Sequence, residues 1–413
     1  MMKKLLYIIL FFTLLITCSC SFNEEKETDN ESELPTLFEQ TEQDAADDTQ
    51  NGDDTNGNTD DETISEATVQ TGEQTDKEDD PAQEHKHVFS NNVCTECKEN
   101  EYELVLDLSG EFYILKKANS DITGSVTIPS EYNGKPVKYI GSYAFRSLSV
   151  TNVTVPNGMT KIQKGAFSEC STLKSVSLPN TLTSIGDDAF GGCERLNEIN
   201  FPKGLRYIGK NAFSSTALTD VSLPEGILVI DDGAFSGSSV RKAVIPFGTE
   251  RIGNYVFSGA SSLESIVLPQ DMYELPEGSF SYCTSLKSVT LPSSLRQIHY
   301  LAFEKSGIES ISIPSSVEYV ASYAFASCTA LEQIVFANGT MPVSIDITSD
   351  TDITLKKLVL PVNIEIIACQ DPTFVEKVVY NGTVSQWKAV IDKGNGKNIT
   401  FTSVECTDGI WSK

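Results

Sequence analysis

Leu173-Lys174-Ser175-Val176-Ser177-Leu178-Pro179-Asn180-Thr181-Leu182-Thr183-Ser184-Ile185-Gly186-Asp187-Asp188-Ala189-Phe190-Gly191-Gly192-Cys193 is one copy of a unit that recurs along most of the chain. Its phenylalanine returns at Phe145, Phe167, Phe190, Phe213, Phe235, Phe257, Phe280, Phe303 and Phe325, always 22 or 23 residues apart. The proline keeps the same beat from Pro129 through Pro156, Pro179, Pro202, Pro224, Pro246, Pro269 and Pro292 to Pro314; Ala337 replaces the next, and Pro361 follows one period on. Nine copies are clear and two degraded. A strict period of this length means stacked units, none of which buries its apolar residues alone. Within the unit, Val176 and Leu178 alternate with Ser175 and Ser177 as in a strand with one buried face, and Pro179 stops the ladder. Gly186 is read as the residue that permits a tight bend, and Asp187-Asp188-Ala189-Phe190 as a short helical turn with acids at its N-terminus.

The Leu/Ile-Pro followed by Ile-Gly-x-x-Ala-Phe-x-x-Cys resembles the bacterial BspA-like (Treponema-type) leucine-rich repeat family over roughly residues 101–413. The expected fold class is α/β but β-rich: a right-handed leucine-rich repeat horseshoe of about eleven coils, with a parallel concave sheet and short helical turns opposite. Residues 101–124, a hairpin turning at Ser109-Gly110, are expected to cap the first coil; 125–367 form the solenoid and 368–413 the closing cap, where Trp387 seals the core. Cys170, Cys193, Cys283 and Cys328 share one repeat position, filled elsewhere by Ser306, Ala260 or Thr216, and read as reduced core residues.

Upstream the composition changes. The 413 residues carry 31 Lys+Arg and 58 Asp+Glu, a formal charge of −27. Residues 21–84 hold 23 acidic residues and two lysines, so a single segment carries most of that charge. With hardly any aromatic or β-branched clusters, residues 20–84 cannot offset the entropy of ordering and read as a disordered acidic linker. A polyanion of this kind makes nucleic acid a poor partner. Residues 1–19, with Lys3-Lys4 before the apolar run Leu5–Ile16, read as a signal peptide too short to span a bilayer. Thr17-Cys18-Ser19-Cys20 resembles a lipobox, with Cys20 the preferred lipid acceptor, Cys18 the alternative, and an ordinary secretory signal cut slightly later as the plainer reading.

Residues 85–100 gather His85, His87, Cys94 and Cys97. Two imidazoles and two thiols suit a closed tetrahedral zinc site, a structural and not a catalytic one, because all four groups are consumed as ligands. The spacing is not a zinc finger's, and a Cys94–Cys97 disulfide or no organised site are the alternatives.

The strand positions facing the concave side are Ser175 and Ser177, Glu198 and Asn200, Asp220 and Ser222, Lys242 and Val244, Ser265 and Val267, Ser288 and Thr290, and Ser310 and Ser312. They are short and hydroxyl-rich. No base accompanies the serines, the solenoid's one histidine is His299, and no phosphate loop appears, so no enzyme is expected and no cofactor is required beyond structural zinc. Tyr207, Tyr255, Tyr273, Tyr300, Tyr319 and Tyr323 lie on the turn side as a rim suited to recognition. The lipobox-like residues make the expected protein a lipid-anchored one of the bacterial cell surface, and the repeat-family resemblance implies protein–protein recognition, including adhesion to host or neighbouring-cell proteins. A non-catalytic envelope scaffold, or metal capture through the His/Cys cluster, are the alternatives.

Overall fold

The computed structural model describes residues 89–90, 93–94, 101–347, 354–369, 373–395 and 397–412. All lie in the second of two compact units, Asp80–Lys413. The signal segment, Cys18, Cys20 and the acidic linker lie outside the described residues, as do His85, His87 and Cys97. Cys94 is described only as backbone, in strand Val93–Cys94, which pairs antiparallel with Phe89–Ser90.

Each coil contributes two strands, and the fold is a β-solenoid of about twelve turns. The first strand comes from the Leu-x-x-Val-x-Leu stretch. Ser175–Ser177 runs parallel to Val150–Thr154 on one side and to Glu198–Ile199 on the other. Further along, Asp220–Ser222, Lys242–Val244 and Ser265–Val267 pair in the same way. A third run begins at Ser310–Ile313 and continues through Gln333–Phe336, Thr354–Leu360 and Thr373–Tyr380 to Ser403–Cys406. Parallel register keeps identical repeat positions side by side, so Val176 lies between Val153 and Ile199 and apolar columns face one way along the stack.

After the strand, Pro179 opens a turn in which the Leu182 N–H donates to the Pro179 carbonyl at 3.1 Å, repeated at Leu205 on Pro202 and Leu295 on Pro292. The chain then enters a second parallel sheet that single-face alternation does not reveal. It contains Lys161–Ile162, Ser184–Ile185, Tyr207–Ile208, Val229–Ile230 and Arg251–Ile252, and resumes at Glu274–Leu275, Gln297–Ile298 and Tyr319–Val320. The N-terminal hairpin closes this second sheet: Tyr113–Ala118 pairs antiparallel with Tyr102–Leu106 and parallel with Lys135–Ile140.

The third side corrects the expectation of short helical turns. Residues 186–193 form no helix; the N–H groups of Asp188, Phe190 and Gly192 donate to the next coil, at Lys210 O, Ala212 O and Ser214 O, over 2.7–2.9 Å. Left-handed residues two before and two after each phenylalanine accompany this pattern, as at Asp188 (φ 51°) and Gly192 (φ 74°). Other coils place Tyr143, Asn211, Tyr255, Leu301 and Tyr323 at the first position and Ser147, Glu169, Ser215, Tyr282 and Lys305 at the second. Alternating handedness turns every second N–H along the stacking axis, so those groups bond between coils and the i−4 ladder of a helix never forms. Asp187 likewise does not serve a helix N-terminus: its Oδ1 accepts the Lys210 N–H at 2.9 Å, as Asp232 accepts Asn254 N–H. Gly186 is not left-handed. It is required because a Cβ there would stand 2.8 Å from Lys164 N and 2.9 Å from Gln163 C of the preceding coil.

The core is built around the phenylalanine column, all nearly or fully buried, with neighbouring rings 4.8–6.3 Å apart. Each ring contributes roughly 2–3 kcal/mol of burial, available only once the next coil is in place. The four repeat cysteines are free and buried; Cys170, Cys193, Cys283 and Cys328 each donate Sγ–H to a phenylalanine carbonyl of the preceding coil, Phe145, Phe167, Phe257 and Phe303 respectively. At the far end the helix Val384–Asp392 starts from a Thr383/Gln386 capping box. Its Trp387 is buried against Tyr380, Phe401 and Trp411, sealing the core. Among the described residues no helix is long and apolar enough to cross a membrane.

Candidate binding surfaces

The outward positions of the first sheet are those the alternation indicates. Of the fourteen residues read as a binding face, thirteen are exposed and Ser175 is half-buried. Parallel register sets them in two columns: Ser175 beside Glu198, Asp220 beside Lys242 and then Ser265, and Ser222 beside Val244 and then Val267. Ser310 and Ser312 stand against Gln333 and Val335. Ser288 and Thr290 are exposed in a stretch with no assigned strand, where the sheet is interrupted. Asn200 is committed to structure, since its side chain accepts the Leu178 N–H and donates to the Leu178 carbonyl, both at 2.8 Å.

Two features of this face were not found from sequence. One is a charged column just before the strands, in which Arg241 bonds Glu264 at 2.8 Å, Lys287 lies 3.4 Å from Glu309, and Glu332 pairs with Lys356 at 2.5 Å. Exposed pairs of this kind add little stability. The other is an apolar spot. Val244 and Val267 are register neighbours, 40% and 56% exposed, and Phe247, just beyond Pro246, is 71% exposed. The signal was available: the residue after the proline is polar at Asn157, Asn180, Lys203, Glu225, Gln270, Ser293 and Ser315, and only this coil among them carries an aromatic there.

The tyrosines divide. Tyr207 is half-buried and donates to Asp231 Oδ2 at 3.2 Å, next to Arg251 at 3.1 Å from Oδ1, so its role is structural. Tyr255, Tyr273, Tyr300 and Tyr319 are exposed, and Tyr323 meets Tyr300 edge-on at 5.7 Å. His299, the one histidine among the described residues, has Nε2 3.3 Å from Glu274 Oε2. A cleft of about 350 Å³ beside the N-terminal hairpin is lined by Glu101, Tyr102, Glu131 and Tyr132 among others. Among the described residues no group of three His, Cys, Asp or Glu side chains is arranged to hold a metal.

The sequence matches the family model described as the BspA type leucine-rich repeat region over residues 138–264 and 250–374. Among solved structures, a leucine-rich repeat protein from Bacteroides ovatus is 20% identical with a TM-score of 0.51, covering 73% of this chain and 98% of its own. It supports the fold. The pneumococcal vaccine antigen PcpA is 16% identical over 78% of this chain and 98% of its own, TM-score 0.42. A leucine-rich cell surface protein from Faecalibacterium prausnitzii is 21% identical over 58% and 94%, TM-score 0.26. Among curated proteins, none matches the sequence.

Proposed function

The chain belongs to the BspA-type leucine-rich repeat family, and from that premise we propose that it is a lipid-anchored bacterial surface protein whose solenoid recognises host or neighbouring-cell proteins by adhesion. Leucine-rich repeat proteins are a non-enzymatic scaffold class, and the reading calls for no cofactor. The basic, apolar and lipobox-like residues 1–20 supply the address, and the acidic segment 20–84 the spacer between anchor and solenoid. The observation that carries the reading is the departure of one coil pair from the repeat: Val244, Val267 and Phe247 are exposed where neighbouring coils carry hydroxyl or polar residues, with Asp220 and Lys242 beside them. A small apolar centre ringed by polar residues, desolvated when a partner covers it, is the composition of a recognition hot spot.

The test is binding of the mature chain to immobilised extracellular-matrix and mucosal proteins and to whole bacterial cells, with a Val244→Asp/Val267→Asp variant alongside. Saturable binding by the parent, weakened about tenfold or more in the variant, is expected. Equal binding by both would remove the first sheet as the site. No binding of the parent to any of these surfaces would sink adhesion in favour of an envelope scaffold.

A further inference from the structure

The coil that runs from Ser265 to Cys283 is tied to its two neighbours on different sides. Toward the preceding coil the first sheet is intact, with Lys242–Val244 paired to Ser265–Val267. The second sheet, however, stops at Arg251–Ile252 and starts afresh at Glu274–Leu275, its one interruption among the described residues. Toward the following coil the pattern reverses. Glu274–Leu275 pairs with Gln297–Ile298, while Ser288–Thr290 forms no strand against Ser265–Val267. The third side is stitched across both junctions, from Tyr255 N–H to Glu277 O and from Phe280 N–H to Ala302 O, each at 2.8 Å.

The break in the second sheet has a cause in the sequence. The residue after each second strand donates its N–H to the coil before: Gly186 to Ile162 O, Gly253 to Ile230 O, His299 to Leu275 O and Ala321 to Ile298 O, over 2.8–3.1 Å. Pro276 holds that place here and has no N–H to give. His299 and Ala321 show that a side chain is compatible with the bond, so the substituted nitrogen is what sets Pro276 apart. The core is looser at both junctions. Phe257 and Phe280 are 6.3 Å apart, against 4.8–5.6 Å in the rest of the column, and Phe280 and Phe303 are tilted by 32°, against 17° or less elsewhere. Ile266 and Val289, either side of the first-sheet gap, are half-buried where Val221, Ala243 and Ile311 are buried.

We propose that this coil is a hinge. The coils before it and those after it bend relative to one another about the continuous third side, opening the second-sheet gap at Pro276 and the first-sheet gap at Val289. Stretches with few backbone hydrogen bonds open at the lowest cost, and a hinge needs only a few such positions to absorb the change. For recognition, the consequence is a first-sheet face whose curvature adapts between Val267 and Ser310. That use of the bend rests on the first-sheet reading of function; the bend itself does not, and it is measured without a partner.

Lys203 and Ser315 are exposed, hold the same repeat position and lie on opposite sides of the hinge. Azido amino acids encoded at these two positions of the mature chain carry spin labels without involving its cysteines, and double electron–electron resonance reads their separation. Five coils at about 4.8 Å each put the two backbones roughly 24 Å apart. The parent is expected to show a broad distribution, and Pro276→Ala, which restores the donor that Ala321 supplies one junction away from the hinge, to lose its long-distance tail. Circular dichroism and thermal melting confirm that the labelled parent and variant are folded. Equal widths in the two proteins overturn the hinge, as does a narrowing in which the variant shifts to a longer mean distance. Loss of the tail in a protein that binds none of the surfaces tested above would leave the hinge standing and remove only its use in adhesion.

Discussion

The rings of Phe167 and Phe190 lie parallel, 5.3 Å between centroids and 0° between planes. The relationship repeats at nearly the same spacing for Phe190 and Phe213, so each ring is the floor of one coil and the ceiling of another. Removing one exposes two neighbours. Phe190→Ala is therefore expected to cost about 3–5 kcal/mol, and because coils are coupled only to their neighbours, to split one unfolding transition into two. Urea unfolding followed by circular dichroism measures both, and a single transition displaced by less than about 1 kcal/mol would show the column to be dispensable.

The four repeat cysteines are thiols held away from chemistry. Burial pushes Cys170 up to about 12 and Cys328 up to about 11, and raises Cys193 and Cys283 as well. Thiolate is the reactive form, so these four are expected to resist alkylation at pH 8 in the native protein and to label fully in denaturant. Cys369 and Cys406 are half-buried and are expected to label before these four. Peptide mapping after iodoacetamide resolves the sites. Rapid native labelling at Cys193 would contradict the buried slot, and Cys283→Ser is expected to cost no more than about 1 kcal/mol, since Thr216 and Ser306 occupy the equivalent position.

Much of this was legible in the sequence, and the residues themselves explain the limit. Phe190, Pro179 and the Ser175/Ser177 alternation repeat by identity, so period, core column and outward face could be read directly. The second sheet could not, because strands of two residues such as Ser184–Ile185 are too short to alternate. Nor could the left-handed positions, which residues as unlike as Asp188, Tyr255 and Leu301 share; their conformation is set by hydrogen bonds to a coil 22 residues away, which leave no local propensity. The same non-local bonding turned an apparent helix start at Asp187-Asp188 into a stitch between coils. At the surface, Val244 and Val267 were read as face residues, while Phe247 escaped notice because it lies beyond the proline that ends the strand.

The N-terminal hairpin has a pH dependence that follows from Asp107. Desolvation alone would raise its carboxyl, but hydrogen bonds from the Ser109 side chain and from the N–H groups of Phe112, Ser109 and Glu111 outweigh it and hold the group at about 2. A depressed carboxyl contributes stability that is fully present above its ordinary range near 4 and is lost as the pH falls through about 2. Amide exchange at Ser109, Glu111 and Phe112 is therefore expected to lose protection between pH 4 and 2, relative to Asp107→Asn measured at the same pH. Protection unchanged to pH 2 in both proteins would show that the turn does not depend on the carboxylate.

Two glycines of adjacent coils separate close approach from conformational freedom. Gly209 is not left-handed, yet a Cβ on it would stand 2.4 Å from Asp187 Oδ1, 2.6 Å from Asp187 N and 2.7 Å from Gly186 C. The last two are backbone atoms, so Gly209→Ala must push two coils apart and break the Gly209 N–H bond to Ile185 O at 2.9 Å. A loss of about 2 kcal/mol or more is expected. Gly192 is left-handed at φ 74°, but the nearest atom to its Cβ would be 3.6 Å away. Glu169 and Ser215 hold that same conformation in neighbouring coils, so Gly192→Asn, a residue that tolerates it, is expected to cost no more than about 1 kcal/mol. Denaturant midpoints of the two variants decide the matter: the reverse order would mean that backbone handedness, and not the distance between coils, is what limits substitution on this side of the solenoid.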